Sequence, residues 1–421
     1  MQSSIKLRLT VMNFLQFAVW GAYLTSMGRY LGTAGFGSEI GNFYAMQGLV
    51  SLFMPALMGI VADRWIPAQR LLGVCHMLAG MLMLGVFLYT QTDTPSYPTL
   101  FALYSLSVAF YMPTLALSNS VAYTSLDQAG LDLVKSFPPI RVFGTVGFIC
   151  TMITVSLLGL EATSGQFAVS AIISLVLAVY AQTLPNCPTA PKGQSKSLVE
   201  ALGLRAFVLF KQRKMALFFI FSMLLGVSLQ ITNGFANPFI STFGEIPAYA
   251  DTFGVKYANI LISLSQLSET LCILLIPFAL RRFGIRRVML IAMVAWVLRF
   301  ALLGLGNPGS GVWLFLLSMI VYGVAFDFFN VSGSLFVDKE TDPSIRSSAQ
   351  GLFMIMTNGI GATLGSLGAQ AVVNHFVHTE HDTTAILAGW SMSWYVFAAY
   401  AAVVAVLFAL LFRYNTATEV K

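Results

Sequence analysis

The chain has 421 residues, of which 57% are hydrophobic and only 10% charged, and its mean hydropathy is +0.78. Soluble domains carry roughly 25% charged residues, so this composition excludes a water-soluble enzyme or binding module and points to an all-α membrane protein. A transmembrane β-barrel is excluded as well, because its strands alternate in short segments, and this chain has long apolar runs. The net charge of +6 is no nucleic-acid signature, since membrane proteins gather Lys and Arg in cytoplasmic loops.

In chain order, Lys6 and Arg8 precede a long apolar run with no small-residue cleavage site after it, which reads as a first span and not a removed signal peptide. Twelve spans are predicted, at 9–31, 40–62, 69–90, 97–123, 138–160, 164–184, 214–242, 257–280, 286–306, 312–337, 346–373 and 390–412. A polar stretch with Pro185, Pro188, Pro191 and Gly193 divides them six and six. The expected organisation is an N-terminal bundle over 1–184, a cytoplasmic linker over 185–213 and a C-terminal bundle over 214–421. A short surface helix is expected near 198–210 of the linker. Basic residues crowd the segments that this order places inside, and the outer segments hold Arg29 and Lys256 alone. Both termini are therefore expected in the cytoplasm.

The two halves read as copies. Val108-Ala109-Phe110 of span 4 answers Val324-Ala325-Phe326 of span 10, and Pro138-Pro139-Ile140-Arg141 answers Pro343-Ser344-Ile345-Arg346. Pro55 of span 2 answers Pro277 of span 8. Parallel repeats of this kind mark transporters that bind substrate between their halves near mid-bilayer. Gly59-Ile-Val-Ala-Asp63-Arg64, between spans 2 and 3, resembles the loop motif of the major facilitator superfamily. The basic run Arg281-Arg282-Phe283-Gly284-Ile285-Arg286-Arg287 echoes it without the acid, and a purely topogenic role fits both loops too.

Polar residues inside the spans carry the functional reading. In span 5, Arg141, Thr145 and Phe148 share one face, with Pro138 and Pro139 expected in the first helical turn. Snorkelling to the cytosolic surface is the alternative for Arg141. Span 7 aligns Gln230, Asn233 and Asn237, which either bind substrate or hold helices together. Span 8 carries Gln266 and the acid Glu269. Arg299 in span 9 is a partner for an acid or a snorkelling residue. Span 10 sets Tyr322, Phe326 and Asn330 on one face with Asp327 on its flank. A carboxylate at mid-bilayer costs about 2.5–3.5 kcal/mol even on permissive scales, so Asp327 and Glu269 are expected to face the bundle interior and either handle protons or form permanent ion pairs. The span 11 glycines 351, 359, 361, 365 and 368 suit close helix approach. His76 reads as a hydrogen-bonded interior residue. His375, His378 and His381 fall in an outer loop whose solvated role outweighs a metal clip. Cys75, Cys150, Cys187 and Cys272 lack disulfide or zinc spacing, and no Walker loop or nucleophile motif appears. No metal or cofactor is expected, and without an ATP site uphill transport would have to draw on an ion gradient, for which the titratable acids offer the proton.

Nine stretches closely resemble bacterial nucleoside permeases of the nucleoside:proton symporter family, itself part of the major facilitator superfamily. They are FLQFAVWG (14–21), MPALMGIVAD (54–63), YMPTLAL (111–117), FPPIRVFGTVGF (137–148), FSMLLGVSLQITN (221–233), SLSQLSE (263–269), VAWVLRFAL (294–302), VYGVAFDFFNVSGS (321–334) and IRSSAQG (345–351). One departure is Arg205, where the family pattern has an acid. The resemblance implies a nucleoside site of Arg141, Thr145, Phe148, Gln230, Asn233, Gln266, Glu269, Tyr322, Phe326 and Asp327, with Asp327 the leading proton carrier and Glu269 the second. It also implies nucleoside uptake by alternating access across the bacterial inner membrane, by a protein working as a monomer in the lipid bilayer without nucleic acid. Rival readings are uptake of a sugar or other small polar metabolite, uncoupled nucleoside facilitation, an intramembrane enzyme and a non-transporting receptor. The buried acids and duplicated halves argue against the last, and the lack of a nucleophile or metal set against the enzyme.

Overall fold

The computed structural model describes residues 2–189, 204–343 and 345–414. Among them the chain is all-α, with no strand. The helices are α1 (Gln2–Gly21), α2 (Met27–Thr33), α3 (Ile40–Ser51), α4 (Met54–Arg64), α5 (Ala68–Tyr89), α6 (Tyr97–Gln128), α7 (Leu133–Leu157) and α8 (Gly165–Ala181). After the linker come α9 (Arg213–Leu229), α10 (Ile231–Thr242), α11 (Ala258–Cys272), α12 (Ile276–Leu305), α13 (Val312–Glu340), α14 (Arg346–Met354), α15 (Ala362–Phe376) and α16 (Thr383–Leu411). Among the described residues, nine helical stretches are long and apolar enough to cross a membrane.

Several predicted spans are not single helices. Span 1 breaks after Gly21 into a buried turn, and span 2 breaks between α3 and α4 just before Pro55. Span 7 breaks at Gln230, and span 8 tightens into a 3₁₀ turn at Ile273–Leu275. Span 11 carries a π-helical stretch, Ile355–Gly361, between α14 and α15. Hydrophobic runs do not report such breaks, because apolarity says nothing about backbone hydrogen bonding. Broken backbone is tolerated at membrane depth only where protein re-satisfies it. Here the turn after α1 closes on itself through Ser26 N–H to Tyr23 O, and the Ser26 hydroxyl donates to Gln166. The predicted loop between spans 8 and 9 is a single-residue kink. Gly284, at φ +75°, bends α12, a conformation that favours glycine. Pro138 and Pro139 sit in the second turn of α7, since the helix starts at Leu133. In the linker, Leu204–Lys211 forms a 3₁₀ helix that buries Ala206 and Leu209. The expected residues 198–203, together with Pro191, Gly193 and Ser344, lie outside the described residues.

The chain folds as two compact units, Met1–Tyr30 with Leu49–Leu202, and Leu31–Gly48 with Gly203–Lys421. In the first unit α1 packs against α7 at backbone contact. A Cβ on Gly147 would stand 2.1 Å from Phe14 O, and one on Gly21 would stand 2.4 Å from Phe148 O. The second unit holds Leu31–Gly48 by hydrogen bonds from α15, where Gln370 Nε2 donates to Gly37 O at 3.1 Å and its Oε1 accepts from Gly41 N–H at 2.5 Å. His378, just past α15, covers Gly37, and burial pushes its imidazole below the usual value while a backbone bond at Gly37 works against that shift. Arg286 caps the C-terminus of α16 by donating to Phe412 O and Ala409 O.

Of the span 11 glycines, Gly361 and Gly365 bring that span onto α9, and Gly351 and Gly368 have open space around them. An added Cβ on Gly365 would lie 2.0 Å from Val227 O, whereas one on Gly368 meets nothing within 4 Å. Gly365→Ala is therefore expected to lower stability by about 1–3 kcal/mol, and Gly368→Ala to leave it unchanged. Thermal unfolding in detergent checks the pair, and equal midpoints would remove the close-packing role from Gly365.

Candidate functional site

In the second unit, α13 and its neighbours gather the polar residues. The i, i+4 spacing of Tyr322 and Phe326 stacks their rings, with centroids 5.5 Å apart and planes 17° from parallel. Trp296 of α12 meets Tyr322 edge-on at 5.9 Å. The Arg299 guanidinium lies 4.5 Å above the Tyr322 ring and is only 2% exposed. Its Nη1 donates to Ser318 O at 2.8 Å and Ser265 Oγ at 3.3 Å, and Nη2 donates to Thr232 Oγ1 at 3.2 Å. Thus Arg299 neither snorkels nor pairs with an acid. It binds α10, α11, α12 and α13 together under the aromatic stack.

Beside the stack, α11 and α13 approach closely at Gly323, where a Cβ would stand 2.5 Å from Ser268 O. The Ser268 hydroxyl donates to Ile320 O across this contact. Glu269 of α11 and Asp327 of α13 are close enough for their charges to interact, and Gln266 lies three residues before Glu269 on α11. Asp327 is 5% exposed and its Oδ2 has no hydrogen-bond partner among the described residues. Gln266 Oε1 is likewise buried and unmatched. Leaving a buried acceptor unsatisfied costs about 1–3 kcal/mol, so this face is built at the expense of stability.

The three amides of span 7 divide because the helix breaks at Gln230. Asn233 Nδ2 donates to Gln230 Oε1 at 2.8 Å, and both remain partly exposed. Asn237 is fully buried and donates to Asn259 Oδ1 at 3.0 Å, which makes it a packing residue.

In the first unit the predicted face of α7 turns to α1. Arg141 lies 4.0 Å over the Phe17 ring, and Phe148 meets Trp20 edge-on at 6.4 Å. Thr145 stands half-buried between them in sequence. Trp20 and Phe17 escaped the sequence reading because single aromatics carry little signal in a chain this rich in them. Arg299 was noticed in the sequence, but its role was not. The signal was a cation flanked by apolar turns on both sides, Val297-Leu298 and Phe300-Ala301, too far from either helix end to reach water. Among the described residues no group of three or more His, Cys, Asp or Glu converges as a metal site.

Membrane-crossing helices that keep carboxylates, amides and a cation in their interior make a polytopic membrane transporter. Comparison with known proteins sharpens this. The family model described as Nucleoside H+ symporter matches residues 3–417. The xanthosine permease of Escherichia coli is 50% identical over 416 residues, covering 98% of this chain and 97% of the permease. The nucleoside permease NupG of the same organism is 46% identical over 415 residues, covering 98% and 97%. A crystal structure of the nucleoside transporter NupG superposes with a TM-score of 0.89 at 45% identity, covering 98% of this chain and all of the other. A peptide transporter of the POT family shares the fold at 14% identity and a TM-score of 0.69. The chain belongs to the nucleoside H+ symporter family, and it is a transporter and not an enzyme.

Replacing Arg299 by Lys keeps the charge but loses the planar contact with Tyr322 and part of the hydrogen-bond fork. Arg299→Lys is expected to lower the unfolding free energy by about 1–2 kcal/mol. Thermal melting of purified protein reads this, and a midpoint equal to that of the unmodified chain would show that the stack contributes nothing.

Proposed function

We propose that this protein takes nucleosides up across a bacterial inner membrane together with protons, by alternating access. The observation that carries the reading is the Tyr322–Phe326 stack set beside the unmatched acceptors of Asp327 and Gln266. A nucleoside supplies a flat base for the aromatic face and hydroxyl or amide donors for the acceptors. Phe326, the more exposed ring, takes the base. Gln266, Glu269 and the Gln230–Asn233 amide pair take ribose and base edge. Arg141, Thr145 and Phe148 are the proposed substrate residues of the first unit. A site of this kind rejects molecules that leave its buried polar atoms unpaired.

Asp327 is the proposed proton carrier and Glu269 its partner. Two carboxylates sharing a desolvated environment cannot both hold charge cheaply, so proton uptake lowers the cost of enclosing them. The proton needs no cofactor, and the proposed working unit is a monomer in the lipid bilayer.

The proposed architecture is twelve crossings in two six-helix repeats of the major facilitator fold. Nine long apolar helical stretches support it. Ala258–Leu305 counts twice because it turns at Gly284, and α1 and the shorter apolar α8 supply the rest. The basic residues around Gly284 support cytoplasmic termini.

Two experiments test this function. In proteoliposomes, uridine or adenosine accumulates on an acid-outside gradient, and Asp327→Asn abolishes uphill uptake while binding persists. Accumulation indifferent to proton ionophores would defeat proton coupling, equilibration without accumulation would leave an uncoupled facilitator, and competition by sugars but not nucleosides would replace the substrate class. For orientation, in a cysteine-free background a membrane-impermeant thiol reagent added to intact cells labels His381→Cys and spares Arg282→Cys. The opposite pattern would invert the topology.

A further inference from the structure

We infer that His76, buried in the first unit, is a second proton-binding site that takes up a proton at Nδ1 during transport. This rests on the coupled-transport reading above. His76 lies on α5 with no exposed surface. Its Nε2 stands 2.8 Å from Gln16 Oε1 on α1, and its Nδ1 stands 3.0 Å from Ser174 Oγ on α8. The surrounding bonds fix which atoms carry protons. The Thr114 hydroxyl of α6 donates to Tyr111 O at 2.5 Å, so Thr114 Oγ1 accepts from Gln16 Nε2, at 2.7 Å. The Gln16 amide is thereby oriented with Oε1 towards the ring, and His76 Nε2 must bear a hydrogen.

The other nitrogen sits against a conflict. Ser174 has one hydroxyl proton, and His76 O accepts it at 2.9 Å. With that bond made, Ser174 Oγ offers only lone pairs to Nδ1, and the contact is satisfied when Nδ1 also bears a hydrogen. A neutral ring instead requires Ser174 to turn its proton onto Nδ1 and release His76 O. The network therefore has two complete arrangements that differ by one proton and one hydroxyl rotation. Uptake forms the Nδ1–H bond with a proton from water while the Ser174 proton swings to His76 O, and release reverses both moves. Ser174 also lines a small cavity with Val19, Tyr23, Ala79, Met83, Ser107, Tyr111 and Ser170, about large enough for one water.

The groups facing His76 leave the switch uncomplicated. Tyr111 meets the ring edge-on at 5.9 Å. The other titratable or charged groups on the helices around it are Lys6 and Arg8 of α1, Asp63 and Arg64 of α4, Arg70, Cys75 and Tyr89 of α5, Tyr97, Tyr104, Tyr123 and Asp127 of α6, and Tyr180 of α8. None of them is hydrogen-bonded to the imidazole, and no ion pair holds it in either state.

Reversal potentials of uridine flux in proteoliposomes give the protons moved per nucleoside. His76→Gln, which keeps a donor for Gln16, is expected to move one proton fewer than the unmodified protein. An unchanged ratio would overturn the assignment while leaving coupling through Asp327 intact. A second measurement does not depend on that variant folding. The chain has 4 histidines, so replacing His375, His378 and His381 by Gln leaves His76 alone for imidazole ¹⁵N resonance in nanodiscs. In a titration from about pH 3 to about pH 8, both nitrogens protonated at the acid end and Nε2 alone at the other are expected. One neutral tautomer throughout that range would overturn the proposal. If the unmodified protein moves no net charge with uridine, the coupled-transport reading fails, and the resonance still decides His76.

Discussion

Lipid offers no hydrogen bonds, so every polar group that this chain carries into the membrane must be answered from within the protein. That constraint governs how the helices meet. Arg299 shows it most directly. A guanidinium with 2% exposure is tolerable only because three elements turn oxygen atoms to it and one of them, α13, also lays an aromatic ring against it. In meeting those demands Arg299 sets the register of α10, α11, α12 and α13 around one point. The Ser318 hydroxyl returns the favour by donating to Arg299 O at 2.9 Å, so the two helices clasp at the same level. Tyr322 is then fixed from below, and Phe326 one turn further on inherits that placement.

Where backbones come close, small residues do for packing what Arg299 does for polarity. Gly21 and Gly147 let α1 and α7 touch, Gly323 admits Ser268, and Gly361 and Gly365 admit α9. Each contact forbids a Cβ on geometric grounds alone. Without a hydrophobic drive between helices in lipid, such close van der Waals approach is much of what holds a bundle together. The breaks in spans 7 and 11 fall beside these contacts. Gln230 lies one residue past α9, and the π stretch Ile355–Gly361 ends at the glycine that meets Met223 O. The span 7 break falls on the element that presents the amide pair Gln230–Asn233.

Much of this was legible in the sequence. The apolar runs located the helices, and the four-residue spacing of Tyr322 and Phe326 placed them on one face, because periodicity is a property of the helix itself. Asp327 and Glu269 stood out because an acid in an apolar run is costly wherever it lies. Less legible was anything decided between helices. Asn237 has the same chemistry and spacing as its neighbours Gln230 and Asn233, and only the position of Asn259 makes it structural. The helix breaks were hidden for a different reason, since a turn at Gly21 and a turn inside a continuous helix are equally apolar. Arg299 was ambiguous because the groups that answer its guanidinium are one serine hydroxyl, one threonine hydroxyl and a backbone carbonyl, none of which announces a cation partner.

Two polar clusters, one in each unit, meet the constraint in opposite ways. Around His76 the first unit chains side chain to side chain, from Thr114 through Gln16 and the imidazole to Ser174, so each member is answered by another member. Around Asp327 the second unit stops short, leaving one carboxylate oxygen and one amide oxygen buried with nothing donating to them. A fold under selection for stability alone would close such gaps, because each costs about as much as a typical destabilising mutation. On the proposed reading, a donor-rich molecule meets the unmatched oxygens of Asp327 and Gln266 for part of the working cycle, and the stacked rings beside Asp327 receive its flat part.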